Sequence, residues 1–169
     1  MKTLWAPWRM EHVLGKAEKV SGCLFEPPGT NSFDKESMLL YRDTKNVVLL
    51  NRFPYSNGHL LIAPIDHIAC ITKLSSSAQA SLMEMIAKST QILRDQLNPD
   101  GLNVGCNLGK VAGAGIAEHL HFHIVPRWEN DHNFMTVIAD IRSIPDHLFA
   151  TFDKLLPPFQ ELLASQTNE

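Results

Sequence analysis

No stretch of this chain is apolar for long enough to cross a bilayer. The best run, Leu60-Leu61-Ile62-Ala63, ends at Pro64, far short of the roughly 20 residues a helical span requires. The opening Met1-Lys2-Thr3-Leu4-Trp5-Ala6-Pro7-Trp8-Arg9 lacks the continuous apolar segment of a secretory signal. Cysteine is scarce. Cys23, Cys70 and Cys106 are odd in number and widely separated, so they make no disulfide framework, and reduced thiols in a cytoplasmic protein are expected. Positive charge is not in excess: 15 Lys and Arg stand against 18 Asp and Glu, a net charge of −3, which argues against a nucleic-acid coat and leaves room for a small phosphate-binding pocket.

What remains is an ordinary globular composition, 44% hydrophobic and 20% charged, which excludes disorder. The 169 residues suit a single domain, since domains run to roughly 100–200 residues, and no repeat or linker divides them. Residues 1–40 read as an N-terminal arm, 41–128 as a core and 129–169 as a C-terminal strand and helices. Asn46 to Asn51 and His59 to Pro64 have strand character and flank a Pro54, Ser56, Asn57, Gly58 turn, so 46–63 reads as a hairpin. Ser76 and Gln79 resemble a capping box opening a helix whose Leu82, Met85, Ile86, Ile92, Leu93 and Leu97 share a face, and Asn98-Pro99-Asp100-Gly101 ends it. Strands are expected at Asn103 to Leu108, at Glu118 to Pro126 and at Phe134 to Ile138. A helical tail from Ile144 is expected to be interrupted at Pro157-Pro158. Strands, a helix, more strands and a helical tail make an α+β fold.

Three of the eight histidines fall in His119-Leu120-His121-Phe122-His123-Ile124-Val125. In a strand the imidazoles share one face while Leu120, Phe122 and Ile124 enter the core from the other. Alternate residues lie about 6.6 Å apart, which puts His119 and His123 about 13 Å apart, too far for one metal ion to take all three rings. A His-x-His pair with a ligand from elsewhere stays open. So does covalent chemistry: a neutral imidazole is a nucleophile near pH 7, and an acceptor on its other ring N–H stabilises the charge that attack at phosphorus creates. Just upstream, Gly109 to Gly115 holds three glycines, and such a turn can aim backbone N–H groups at an anion, with Lys110 as added charge. It lacks the Gly-Lys-Ser/Thr of a P-loop and is no dinucleotide fingerprint. His12, His132 and His147 are isolated and read as exposed or capping residues; Trp5, Trp8 and Trp128 read as packing.

The His119 to Val125 segment matches the motif His-φ-His-φ-His-φ-φ, and the chain resembles the histidine triad family over roughly 45–128. Asn51-Arg52-Phe53-Pro54 and Gly58-His59-Leu60-Leu61-Ile62-Ala63-Pro64 are similar to that family's ribose-binding asparagine and additional active-site histidine. The resemblance implies a mainly antiparallel sheet covered by helices, joined to a second sheet in a homodimer. It implies a small-molecule nucleotide substrate, a nucleotidylated His121, His59 and His123 lining the site and binding phosphate, Asn51 on the ribose, and Leu49 and Leu61 on the base. The family's hydrolases usually carry Gly-Gln-Ser/Thr-x-x before the first triad histidine; here Ala114-Gly115-Ile116-Ala117-Glu118 stands there, without glutamine or hydroxyl. That segment, Asn103-Val104-Gly105, Asn107-Leu108-Gly109, Leu4 to Arg9 and Arg127-Trp128 resemble a bacterial branch of diadenosine tetraphosphate phosphorylases, in which inorganic phosphate replaces water. Asn107, Gly113, Ala114 and Gly115 are then expected to hold that phosphate. Hydrolysis of a dinucleoside polyphosphate or a phosphoramidate, and a nucleotide-binding module without turnover, are the alternatives.

The resemblance also implies a structural zinc site. Some relatives have Cys-x-x-Cys where Cys23-Leu24-Phe25-Glu26 stands here, and these ligands act with His67 and the first triad histidine. Cys23, Glu26, His67 and His119 form an allowed tetrahedral set, because carboxylate oxygen also binds zinc. No cofactor is demanded for the chemistry, and Mg²⁺ is expected only as a companion of a polyphosphate.

Overall fold

A computed structural model of the protein describes residues 22–27, 31–129 and 147–166. Strands β1 (Leu39–Arg42), β2 (Asn46–Leu50) and β3 (Leu60–Pro64) come first, then helix α1 (Ser76–Leu97), strands β4 (Gly101–Cys106) and β5 (Phe122–Arg127), and helix α2 (Leu148–Gln166). The strands form one antiparallel sheet in the order β1-β2-β3-β5-β4. Trp5, Trp8, His12, His132 and the Phe134 to Ile138 strand lie outside the described residues.

The period of two in the strand sequences produces two faces of different use. Leu40, Val48, Leu50, Leu60, Ile62 and Ile124 point to one side and pack with Leu82, Met85, Ile86 and Leu93 of α1 and Phe152, Leu155 and Phe159 of α2. Leu39, Val47, Leu49, Leu61 and Ala63 point to the other, where Phe25 joins them. Both helices therefore cover one face, and the opposite face is left to the histidines.

The hairpin is present as expected: Asn46 pairs with Pro64 and Leu50 with Leu60. Its turn needs Gly58, which has φ +72°; a Cβ there would collide with Leu97 Cδ1 and lie 3.4 Å from Leu93 Cδ2 and Pro126 Cγ. The turn is also tied to α2, where the buried Thr151 hydroxyl donates to Asn57 Oδ1 at 2.8 Å.

Four features differ from the sequence expectation. The N-cap of α1 is Ser75, whose Oγ accepts from Ala78 N–H at 3.2 Å; Gln79 instead donates to the carbonyls of Ile71 and Leu74, joining the helix to the preceding turn. Helix α2 runs unbroken through Pro157 and Pro158. Each proline costs a helix roughly 3 kcal/mol, about 6 for the pair, and burying Phe152, Leu155 and Phe159 on one face contributes a comparable amount, roughly 5–9 kcal/mol. Strand β5 starts at Phe122, so His119 and His121 lie in the extended segment that feeds it, and β4 spans Gly101–Cys106 instead of Asn103 to Leu108. The end of α1 is as expected: Asn98 adopts a left-handed φ of 47°, and Trp128 Nε1 donates to its carbonyl at 3.2 Å.

Gly58→Ala is expected to lower the unfolding free energy by about 2 kcal/mol through its positive φ and the crowding against α1. Denaturant unfolding measures this; an unchanged midpoint would show that the turn absorbs the methyl group.

Candidate active site

The register of the sheet draws one row across all the strands: Leu39, Leu49, Leu61, His123 and Gly105 are successive partners. Apolar residues therefore lead directly to the third triad histidine. Leu49 and Leu61 are both buried, packed with Phe25, Ala63 and the partly buried Ile116.

His121 is 6% exposed and sits beside His123, ring centroids 5.0 Å apart, with Phe25 stacked on it at 4.9 Å. Its Nδ1 lies 2.9 Å from the His119 carbonyl. A carbonyl only accepts, so Nδ1 carries the proton and the lone pair is on Nε2. Burial pulls its pKa below the ordinary 6.5, against the opposing pull of that carbonyl, so the ring stays neutral at neutral pH. The imidazole is held in one tautomer, with its lone pair on Nε2.

His59, fully buried at the end of the turn, meets His123 directly, with Nε2 and Nδ1 3.0 Å apart. The Asn51 amide lies 3.2 Å from His59 Nδ1, while its Oδ1 accepts from Phe53 N–H at 2.9 Å. Tyr55 stacks on His59 at 5.1 Å and sends its backbone N–H to the same Nδ1 at 3.1 Å. Sequence reasoning missed Tyr55 and Phe25, because an aromatic residue in a turn or an arm carries no periodic signal.

The glycine-rich segment forms a tight turn at Lys110–Ala112, flanked by Gly109 at φ 86° and Gly113 at φ 92°. Asn107 Nδ2 donates to the Gly113 carbonyl at 3.3 Å, the Gly113 N–H to Lys110 and the Ala114 N–H to Gly109. The turn thus closes on itself, and Lys110, Gly113 and Gly115 are exposed.

The first triad histidine serves a second cluster. The ligating atoms of Cys23, Glu26, His67 and His119 all lie within 4.8 Å of one another. Cys23 Sγ is 3.2 Å from His119 Nδ1, and Glu26 Oε1 is 2.8 Å from His67 Nδ1. His119 Nε2–H donates to the Pro64 carbonyl at 2.9 Å, which leaves Nδ1 unprotonated and facing the cluster. Burial lowers the His119 pKa and raises that of the Cys23 thiol. Elsewhere, Glu118 is exposed, and His147 accepts from Phe149 N–H at 3.3 Å, a capping role at the start of α2.

Comparison with known proteins agrees with this arrangement. Residues 32–130 match the HIT domain. The chain is 34% identical over 154 residues to the AP-4-A phosphorylase of Mycobacterium tuberculosis, covering 88% of this chain and 79% of that protein. It is 32% identical over 82 residues to an adenosine 5'-monophosphoramidase of Schizosaccharomyces pombe, covering 48% of this chain and 58% of the other. Among solved structures, a zinc-bound histidine triad family protein of Mycobacterium smegmatis superposes with a TM-score of 0.60 at 25% identity, covering 76% of this chain and 87% of that one. With the triad in place on the open face of its sheet, the chain belongs to the HIT, or histidine triad, family.

Proposed function

We propose that this protein transfers a nucleotidyl group through a covalent intermediate on His121, and that the reaction is phosphorolysis of diadenosine tetraphosphate to ATP and ADP. The observation that carries this reading is the His121 Nδ1–H bond to the His119 carbonyl, which commits Nε2 to nucleophilic use. Nε2 attacks the α-phosphorus, a P–N bond forms, and the bridging P–O bond breaks with its electron pair leaving on ATP. The ring becomes cationic, and the His119 carbonyl stabilises it. An oxygen of hydrogenphosphate then attacks the same phosphorus, the P–N electron pair returns to Nε2, ADP departs and one proton passes to solvent.

Leu49 and Leu61 present an apolar wall for the base, Asn51 meets the ribose, and His59 and His123 line the phosphates. Asn107 and the Gly113, Ala114 and Gly115 backbone receive the incoming phosphate, exchanging the turn's internal bonds for bonds to the anion. Phosphate in place of water is supported by the missing Gln and Ser/Thr before His119 and by the 34% identical phosphorylase. Hydrolysis with the same intermediate is the second reading, favoured by the 32% identity to a monophosphoramidase. A module that only binds nucleotide would have no use for a buried imidazole held with its lone pair presented.

Product analysis with diadenosine tetraphosphate decides between these. ATP plus ADP, formed only when inorganic phosphate is present, is the expected outcome, and His121→Ala should remove activity by at least about 10³-fold. AMP released without phosphate would establish hydrolysis instead.

The Cys23, Glu26, His67 and His119 donors fit a tetrahedral zinc ion: one thiol, one carboxylate and two imidazoles, with a carbonyl behind His119. When bound, zinc supplies a structural tie between the Cys23 segment and the triad. Among the described residues no other group of three or more such ligands occurs, so Mg²⁺ is expected to arrive with the polyphosphate. The purified protein should carry about one zinc ion per chain by elemental analysis, and Cys23→Ser should lower both zinc content and melting temperature. Full zinc retention in that variant would remove Cys23 from the set.

Strand β4 pairs with β5 alone among the described residues and exposes Asn103, Val104 and Gly105. An open strand edge of this kind pairs readily with another chain, and it joins two copies into a homodimer with a continuous sheet. Sedimentation should give twice the chain mass; a monomer at micromolar concentration would refute the pairing.

A further inference from the structure

The proposed reaction makes a cation of a ring that is withdrawn from water. His121 is 6% exposed, and among the described residues no carboxylate is bonded to it. As Nε2 bonds phosphorus, the ring keeps its Nδ1–H and gains a positive charge, while the bridging P–O electron pair leaves on ATP. A charge in such a place is costly unless a neighbour replaces the lost hydration. The His119 carbonyl does so at one edge of the ring, where it accepts from Nδ1–H. The face of the ring has a different neighbour.

Phe25 is fully buried and stacks on His121, with centroids 4.9 Å apart and planes inclined by 30°. It also tilts against His119 at 5.1 Å and 55°. The face of a benzene ring is electron-rich, and a cation within about 6 Å of its centroid is attracted to it. A neutral imidazole gains little from that field and an imidazolium gains much, so the stack strengthens as the P–N bond forms. Only interactions that strengthen in this way accelerate a chemical step. Phe25 is also held in place. It packs with Leu39, Val47, Leu49, Leu61 and Ala63. The Glu26 N–H closes a turn on the Cys23 carbonyl at 3.0 Å, and Arg42 of β1 donates from Nη1 to the Pro27 carbonyl at 3.0 Å. Leucine at position 25 would be apolar too, but it would leave the charged ring without a π face.

We propose that Phe25 stabilises the cationic nucleotidyl-His121 adduct by a cation–π contact with the ring face, as a positioning residue that acts through His121. The proposal rests on the His121 nucleotidyl-transfer reading and deepens it by naming what receives the charge. The ring is then divided among three groups: the His119 carbonyl on the Nδ1–H edge, Phe25 on the face, and phosphorus at Nε2. Phe25 adjoins Leu49 and Leu61, so a share in the wall for the base is the competing role, and the two roles predict different kinetics.

The test uses the full-length protein with mono-, di- and trifluorinated phenylalanine incorporated at position 25. Fluorine draws electrons from the ring face at nearly constant shape, so it weakens a cation–π contact stepwise and leaves packing almost as it was. Diadenosine tetraphosphate is added without inorganic phosphate, the reaction is quenched within the first turnover, and mass spectrometry of the His121 peptide reads the adenylated fraction. The rate of adduct formation should fall with each fluorine, by at least roughly 10-fold for the trifluorinated ring, with KM and melting temperature nearly unchanged. Phe25→Leu should lower kcat by a similar factor and change KM less. A rate that ignores fluorine overturns the proposal. So does a series that moves KM and not the rate, which would place Phe25 against the base. If the unmodified protein forms no adduct on His121, the transfer reading is refuted and the proposal with it; an adduct on His121 that is indifferent to fluorine refutes the proposal alone.

Discussion

The carbonyl of His119 holds the Nδ1–H of His121 at 2.9 Å, and the residue that offers it is itself fastened on several sides. Its Nε2–H is bonded to Pro64, its Nδ1 faces Cys23, its ring packs on Phe25, and the next peptide N–H, that of Leu120, reaches the Ile68 carbonyl at 2.6 Å. The direction of one peptide group therefore depends on the end of β3, on the segment after it and on residues 23–25. A loosened Cys23 segment would therefore be felt at the His121 ring. The Cys23, Glu26, His67 and His119 cluster and the His121 imidazole, joined through alternating residues, share a backbone, so displacing one shifts the other.

The sheet supplies the other half of the positioning. Both helices bury the same face, with Leu60, Ile62, Ile124 and Leu120 packed beneath them, so the strands carrying His59 and His123 are stiffened from behind. The opposite face is then available for polar work without exposing the main core. The row Leu49, Leu61, His123 places an apolar surface and a ring N–H at adjacent strand spacings, about 4.8 Å each.

How much of this was legible in the sequence follows from which interactions are periodic. Alternation in His119 to Ile124, the hairpin with its Gly58 turn and the spacing of Leu82 to Leu93 are repeating signals, and the structure has each of them on the expected face. The Cys23, Glu26, His67 and His119 cluster came from resemblance alone, and its atoms are close in space although 96 residues separate Cys23 from His119. The helix through Pro157 and Pro158 was unreadable because tertiary burial of Phe152, Leu155 and Phe159 offsets local propensity. The start of α1 was misplaced by one residue because three consecutive serines, Ser75 to Ser77, are equally good caps, and only the Ala78 N–H distinguishes them. Tyr55 was unreadable for a different reason: its contribution is a backbone N–H, which every residue but proline possesses.

Segment 114–118 lacks the glutamine and hydroxyl usual before the first triad histidine. Under the proposed reaction the adduct has a cationic ring but anionic phosphoryl oxygens, so an incoming hydrogenphosphate meets like charge as well as opposite charge. Neutral donors aimed past those oxygens are what lower the barrier, since they stabilise developing negative charge without adding a proton to be lost. A side-chain hydroxyl beside the leaving group would serve water equally well. Water needs a base to become a competent nucleophile, whereas hydrogenphosphate arrives already anionic. Under the proposed reaction, hydrogenphosphate therefore asks less of the site than water does, in keeping with the missing Gln and Ser/Thr before His119.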